Sequence, residues 1–174
     1  MARETDEFTL VFQANYAGLC RFLECMLGGR GQASAQDIAQ ESFMRLYKLG
    51  QGALPREEAR FWLFRVARNL AINELSRRET RGKFVRRVRE LFRQREPDPA
   101  AHLELEERKQ VLLELLKTLP EHQRAALLLR EQEEMSYREI ARVLNISESK
   151  VKVDIFRART SLRARLNELV NARS

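Results

Sequence analysis

Residues Ser136 to Arg159, SYREIARVLNISESKVKVDIFRAR, are spaced to press one polar helix face against a charged polymer. Ile140, Ala141 and Leu144 give a first helix its apolar stripe. Asn145 stands where a tight turn needs a residue that tolerates positive φ, and asparagine does so better than most non-glycine residues. Ile146 plugs the angle between helices, and Ser147 offers a hydroxyl to the first-turn donors of the next. Val151, Ile155, Ala158 and Leu162 then recur at i, i+4, i+7 and i+11, one buried stripe. Opposite them fall Glu148, Ser149, Lys150, Lys152, Val153, Asp154, Arg157 and Arg159. The spacing predicts a helix-turn-helix whose second helix enters the DNA major groove, although any amphipathic helical hairpin shares the pattern. Ser149, Lys150, Val153 and Asp154 are expected on the exposed face of the leading turns, where base edges lie. Arg157 and Arg159, one turn further on, suit phosphates. A carboxylate at Asp154 is repelled by phosphate but can accept a hydrogen bond from cytosine N4.

A second group, Phe61 and Trp62 with Arg65, Arg68, Arg77 and Arg78, joins aromatic rings to positive charge. Single-stranded DNA calls for that pairing, since bases stack and phosphates need neutralising. Aromatic residues at helical spacing also build cores; Trp62 suits either use, and Phe64 reads as core. A third group, Asp37, Gln40 and Glu41, lies at i, i+3 and i+4 and so shares one helix face. By itself it reads as a solvated acidic patch. Bond-making chemistry finds no such support. There is no carboxylate set with a metal-binding partner and no phosphate-binding glycine loop, and His102 and His122 lie away from the basic segments. A nuclease or integrase is therefore a poor reading, and no metal or cofactor is expected.

The elements that must carry these groups are helical. The 174 residues include only 7 glycines and 4 prolines, and no run of alternating β-branched residues stands out. Helices are expected from Phe8 to Leu27, ended by Gly28, Gly29 and Gly31; from Ser34, as cap, to Leu49; and from Pro55 to Arg81. A basic amphipathic segment, 84–95, follows. The EPDP string at Glu96 to Pro99 stops helix formation and marks a domain boundary. Beyond it, helices are expected from Leu103 to Leu119 and from Glu121 to Glu131. The expected architecture is all-α: two small helical domains, 1–95 and 104–174, joined by a flexible linker at 96–103. Charge alternates along the chain. Residues 60–95 hold 12 basic against 3 acidic side chains and residues 135–174 hold 9 against 4, whereas residues 96–134 hold 5 against 10. Two basic segments parted by an acidic one suggest two contacts with a polyanion. No apolar stretch reaches membrane-span length and the N-terminus lacks a signal-peptide layout, so a cytoplasmic protein is expected. Cys20 and Cys25 read as small buried hydrophobes of a reducing compartment.

Three strings together resemble one family. DIAQESFMRLY at Asp37 to Tyr47, FWLFRVARNLAINELSRR at Phe61 to Arg78 and LPEHQRAALLLREQEEMSYREIARVLNIS at Leu119 to Ser147 are similar, in order and spacing, to motifs of extracytoplasmic-function (ECF) sigma factors of the sigma-70 family. The resemblance covers nearly the whole chain. It implies a transcription initiation factor without catalysis of its own, with core RNA polymerase and promoter DNA as partners. Asp37, Gln40 and Glu41 would contact the β′ clamp coiled coil, and the C-terminal domain the β flap. The loop Leu49 to Arg60 and the Phe61 helix would capture a flipped base and open the −10 element. The helix-turn-helix would read the −35 element, and an anti-sigma protein could clamp between the domains. One departure stands out: the family commonly has arginine where this chain has Asp154, so an unusual −35 preference is expected. Asn69 matches the family motif, and Asn73 stands where aspartate is common. The competing reading is a polymerase-independent helix-turn-helix regulator, which would need neither the acidic face nor the aromatic-basic helix.

Overall fold

The computed structural model describes residues 2–29, 32–50, 53–91 and 103–172, which form seven helices and no strand. Helices α1 (Ala2–Leu27), α2 (Gln32–Lys48) and α3 (Arg56–Leu91) pack as an N-terminal bundle. Val11, Leu19, Phe22, Leu23 and Met26 line the buried face of α1 at helical spacing. They meet Ala35, Ala39 and Phe43 of α2 and Leu63, Phe64, Ala67 and Ala71 of α3. Phe22 and Phe64, both fully buried, sit edge to face at 5.4 Å. Burial of each such ring contributes about 1.5–3 kcal/mol. Phe64 is core, as the spacing predicts.

Several boundaries differ from the sequence expectation: α1 starts at Ala2 and not Phe8, the helix from Leu103 ends at Lys117 and not Leu119, and three further differences have local reasons. Helix α2 starts at Gln32, so Ser34 lies inside it and caps nothing; its hydroxyl instead accepts from Arg78 Nη2 at 2.7 Å. Pro55 stays outside α3, and its carbonyl accepts the first hydrogen bond, from Ala59 N–H at 2.9 Å. Helix α3 does not close at Arg81 but continues to Leu91, because the single Gly82 weakens a helix by only about 1 kcal/mol. The side chains of segment 84–95 and the linker at 96–102 lie outside the described residues. Gly28 and Gly29 do end α1, both at φ +72°. A Cβ at Gly28 would lie 2.1 Å from the Lys117 side chain, and one at Gly29 2.5 Å from Leu113. Glycine suits both the backbone turn and the close approach of the helix that carries Leu113 and Lys117.

That helix is α4 (Leu103–Lys117), followed by α5 (Glu121–Glu131), α6 (Tyr137–Leu144) and α7 (Glu148–Ala172). Helix α6 opens with a capping box: Ser136 Oγ accepts from Glu139 N–H at 3.2 Å, and Glu139 accepts from Ser136 N–H at 2.7 Å. Asn145 takes the left-handed conformation, φ 55° and ψ 48°, as its place in the turn predicts. Ser147 Oγ accepts from Lys150 N–H at 3.2 Å and caps α7. Ile140, Val143 and Leu144 of α6 and Val151, Ile155 and Ala158 of α7 are buried between the two helices and α5.

The two helical groups pack on each other, α1 against α4 and α5 and α3 against α6, and their apolar side chains form one continuous cluster. Around this cluster runs a polar seam. Arg124, 6% exposed, donates to Met26 O at 2.6 Å and to Lys117 O and Leu119 O at 3.1 Å, thereby capping α1 from the other half of the chain. Arg60 donates to Glu133 O at 2.8 Å and faces its carboxylate at 3.3 Å. That carboxylate lies against Gly18 in α1, where an added Cβ would stand 2.9 Å from both oxygens. Gln132 Nε2 donates to the Cys25 thiol at 3.2 Å. No described helix is long and apolar enough to cross a membrane.

Candidate nucleic-acid interface

The face that α7 turns to solvent is set by helical arithmetic. Val151, Ile155 and Ala158 point inward, and Ser149, Val153, Phe156 and Arg157 lie on the far side, all exposed. Phe156 is 70% exposed and Val153 44%, large apolar surfaces with no core to enter. Phe156 stands outside the sequence expectation, although a residue five positions from Val151 falls about 140° from the buried stripe. Lys152 lies beside this face with its ammonium 5.7 Å from the Tyr137 ring, and Arg159 is paired with Glu131.

Asp154 corrects the expectation of exposure. It is completely buried, with Lys150 Nζ at 3.0 and 2.9 Å from its two oxygens and His122 Nε2 at 3.6 Å. Position 154 falls about 60° from Val151 around the helix, on the margin of the buried stripe. An aspartate there turns inward once a cation accompanies it. Asp154 therefore does not meet DNA in this arrangement, and Lys150 meets it only as half of an ion pair.

The aromatic-basic group of α3 is also placed differently from the expectation of an open stacking platform. Positions 61, 65 and 68 share the α3 face that packs on the C-terminal helices. Phe61 is 8% exposed, with the Arg142 guanidinium 5.0 Å from its ring. Arg65 donates to the carbonyls of Arg142 and, at 3.4 Å, Val143. Arg68 grips Glu121 through two hydrogen bonds of 2.6 and 2.8 Å. Trp62 is half-buried against the core. Arg78 pairs with Glu74 at 2.9 Å, and Arg77, Asn69 and Asn73 are exposed. Beside this helix, Phe8, Tyr47, Leu54, Arg56 and Glu7 line a cleft where α1 and α2 meet the loop before α3.

The third group does share one accessible face of α2. Asp37 and Gln40 are exposed, and Glu41 is partly exposed and paired with Arg45 at 2.8 Å. Met44 and Tyr47, 53% and 59% exposed, extend the face with apolar surface. An acidic rim beside exposed apolar side chains suits a protein partner better than solvent alone. Cys20 and Cys25 are half-buried free thiols, and burial raises the pKa of each. Among the described residues no group of His, Cys, Asp and Glu could hold a metal ion.

Comparison with known proteins gives a consistent result. Residues 11–81 match the family described as Sigma-70 region 2, and residues 109–162 the one described as Sigma-70, region 4. Over 162 residues the chain is 32% identical to the ECF RNA polymerase sigma factor SigM of Bacillus subtilis, spanning 92% of this chain and 96% of that protein. It is 31% identical over 142 residues to the ECF RNA polymerase sigma-E factor of Salmonella typhimurium, spanning 77% and 74%. Two solved structures share the fold. The sigma factor RpoE of Bartonella quintana, bound to the anti-sigma factor NepR, gives a TM-score of 0.61 at 23% identity over 96% of this chain and 98% of that one. CnrH, bound to the cytosolic domain of CnrY, gives 0.67 at 22% over 92% and 88%.

Proposed function

We propose a division of labour on the premise that this chain belongs to the sigma-70 family of RNA polymerase sigma factors, within its extracytoplasmic-function group. It is an RNA polymerase sigma factor, with core polymerase and promoter DNA as its partners. In our reading polymerase carries out the chemistry in the cytoplasm, on the nucleoid, and this chain supplies address and opening. Asp37, Gln40 and Glu41, with Met44 beside them, engage the β′ clamp coiled coil, and residues 104–174 engage the β flap. The cleft of Phe8, Tyr47 and Arg56 receives a flipped base of the −10 element, with Trp62, Arg77 and Arg78 nearby. Ser149, Val153, Phe156 and Arg157 face the −35 duplex, and Lys152 and Arg159 flank it. An anti-sigma protein, like the NepR bound to the Bartonella quintana neighbour, is a further partner.

The observation that carries this reading is the capped helix-turn-helix, which leaves one whole face of α7 open to a groove. The reading also carries a requirement. Phe61, Arg65 and Arg68 serve −10 DNA only after α5 and α6 leave α3, because the same side chains cannot hold both. The first test is polymerase binding. Full-length protein should co-elute with purified bacterial core polymerase, and Asp37→Arg with Glu41→Arg should abolish co-elution at moderate salt while helical content stays unchanged. Retained co-elution of the double variant would remove α2 from the reading.

A further inference from the structure

We infer that Asp154 is a positioning residue for promoter reading, one that acts through Lys150 and sets the sequence preference of α7. The inference rests on the reading of α7 as the DNA-facing helix. Lys150 lies in the first turn of α7, where the helix dipole disfavours a cation. Asp154, one turn on, compensates: both its oxygens bond Lys150 Nζ, at 3.0 and 2.9 Å. The two partners sit in unlike surroundings. The carboxylate is fully buried, and the lysine side chain is 49% exposed. A buried carboxylate stripped of its cation is costly, so the pair holds the ammonium in place rather than merely meeting it. From α5, the ring of His122 closes the far side at 3.6 Å.

Two consequences follow from the donor count. An ammonium carries three N–H donors. Two are directed at Asp154, which leaves one, fixed in direction, at the edge of the reading face. A freely rotating lysine in the same turn would move to whichever phosphate was nearest and add to binding on any sequence. Held by Asp154, it contributes little net charge to phosphate and donates one directed hydrogen bond to an acceptor such as guanine O6 or N7. Asp154 thus trades general affinity for discrimination, although it touches no base.

The test uses full-length protein assembled with core polymerase, on −35 duplexes selected from a randomised pool and on scrambled duplexes, each at two salt concentrations. Asp154→Asn keeps the shape and removes the charge. It should tighten binding to scrambled duplexes, steepen the log–log salt dependence by about one unit, and lower the selected-to-scrambled ratio by about fivefold. Adding Lys150→Met to Asp154→Asn should erase the steepening. The double variant, which leaves neither charge unpaired, should keep the wild-type slope and still lower the ratio. Two results would overturn the inference: equal weakening on both duplexes with an unchanged slope in Asp154→Asn, or a slope in the double variant flattened by one unit from the wild type. Wild-type protein with no preference between the duplexes would instead remove the reading of α7 itself.

Discussion

Phe156 places a full aromatic ring in solvent on the face of α7 that carries Ser149, Val153 and Arg157. On the proposed reading of α7, a ring in that place would find its apolar partner in the major groove, where the thymine methyl group is the main apolar feature. Phe156→Ala is expected to cost about 1 kcal/mol of −35 affinity while leaving thermal stability unchanged. Replacing the contacted thymine by deoxyuridine should cost the wild type a similar amount and the variant nothing. A variant and wild type equally sensitive to the methyl group would place Phe156 off the groove. Type and register pulled in opposite directions at such positions. The sequence expectation sets Asp154 opposite the stripe, although its register puts it beside Val151 and Ala158. An apolar residue such as Phe156 in an amphipathic helix reads as packing. The inward stripe itself, and the roles of Asn145 and Ser147, were legible, since each depends on spacing or backbone conformation and not on a distant partner.

Helix α6 is only eight residues long and depends on its ends. The Ser136–Glu139 box supplies one of them. Ser136→Ala should lower stability by about 1 kcal/mol. The hydrogen bond from Ser136 N–H holds the Glu139 carboxyl below its ordinary pKa. A depressed pKa means that the folded state binds fewer protons, so this stabilisation is present above the ordinary glutamate value and is lost as pH falls through the lowered one. Glu139→Gln should accordingly flatten the acid limb of the stability curve, measured by denaturant melts between about pH 3 and 6. An unchanged acid limb would show that the box carries no charge-dependent stability. The box spans four residues of sequence and is open to a pattern reading. The start of α2 was less so, because Gln32 and Ala33 are helix formers that let the helix begin ahead of Ser34.

The least legible feature is the seam between the two halves of the chain, whose partners stand 53 to 107 residues apart. Arginine explains the difficulty. A guanidinium suited to phosphate is equally suited to a glutamate or to a pair of helix-end carbonyls, and sequence does not say which is nearer. Arg65 and Arg68, expected at DNA, sit in the seam. If closure and −10 binding compete, Glu121→Gln should release Arg68, raise affinity for single-stranded −10 oligonucleotide severalfold, and lengthen the α2-to-α7 distance measured by spin labels. Unchanged distance and affinity would show that the seam does not restrain opening. Gly18 offers a subtler handle. Its missing side chain is what admits the Glu133 carboxylate against α1. A single methyl group there is a wedge: Gly18→Ala should strengthen α1 by up to about 1 kcal/mol through helix propensity and at the same time pry Glu133 and Arg60 from their places. One carbon atom would then raise the melting temperature of the N-terminal bundle while loosening its grip on the rest of the chain. Local firmness and global openness, usually traded against each other, would rise together.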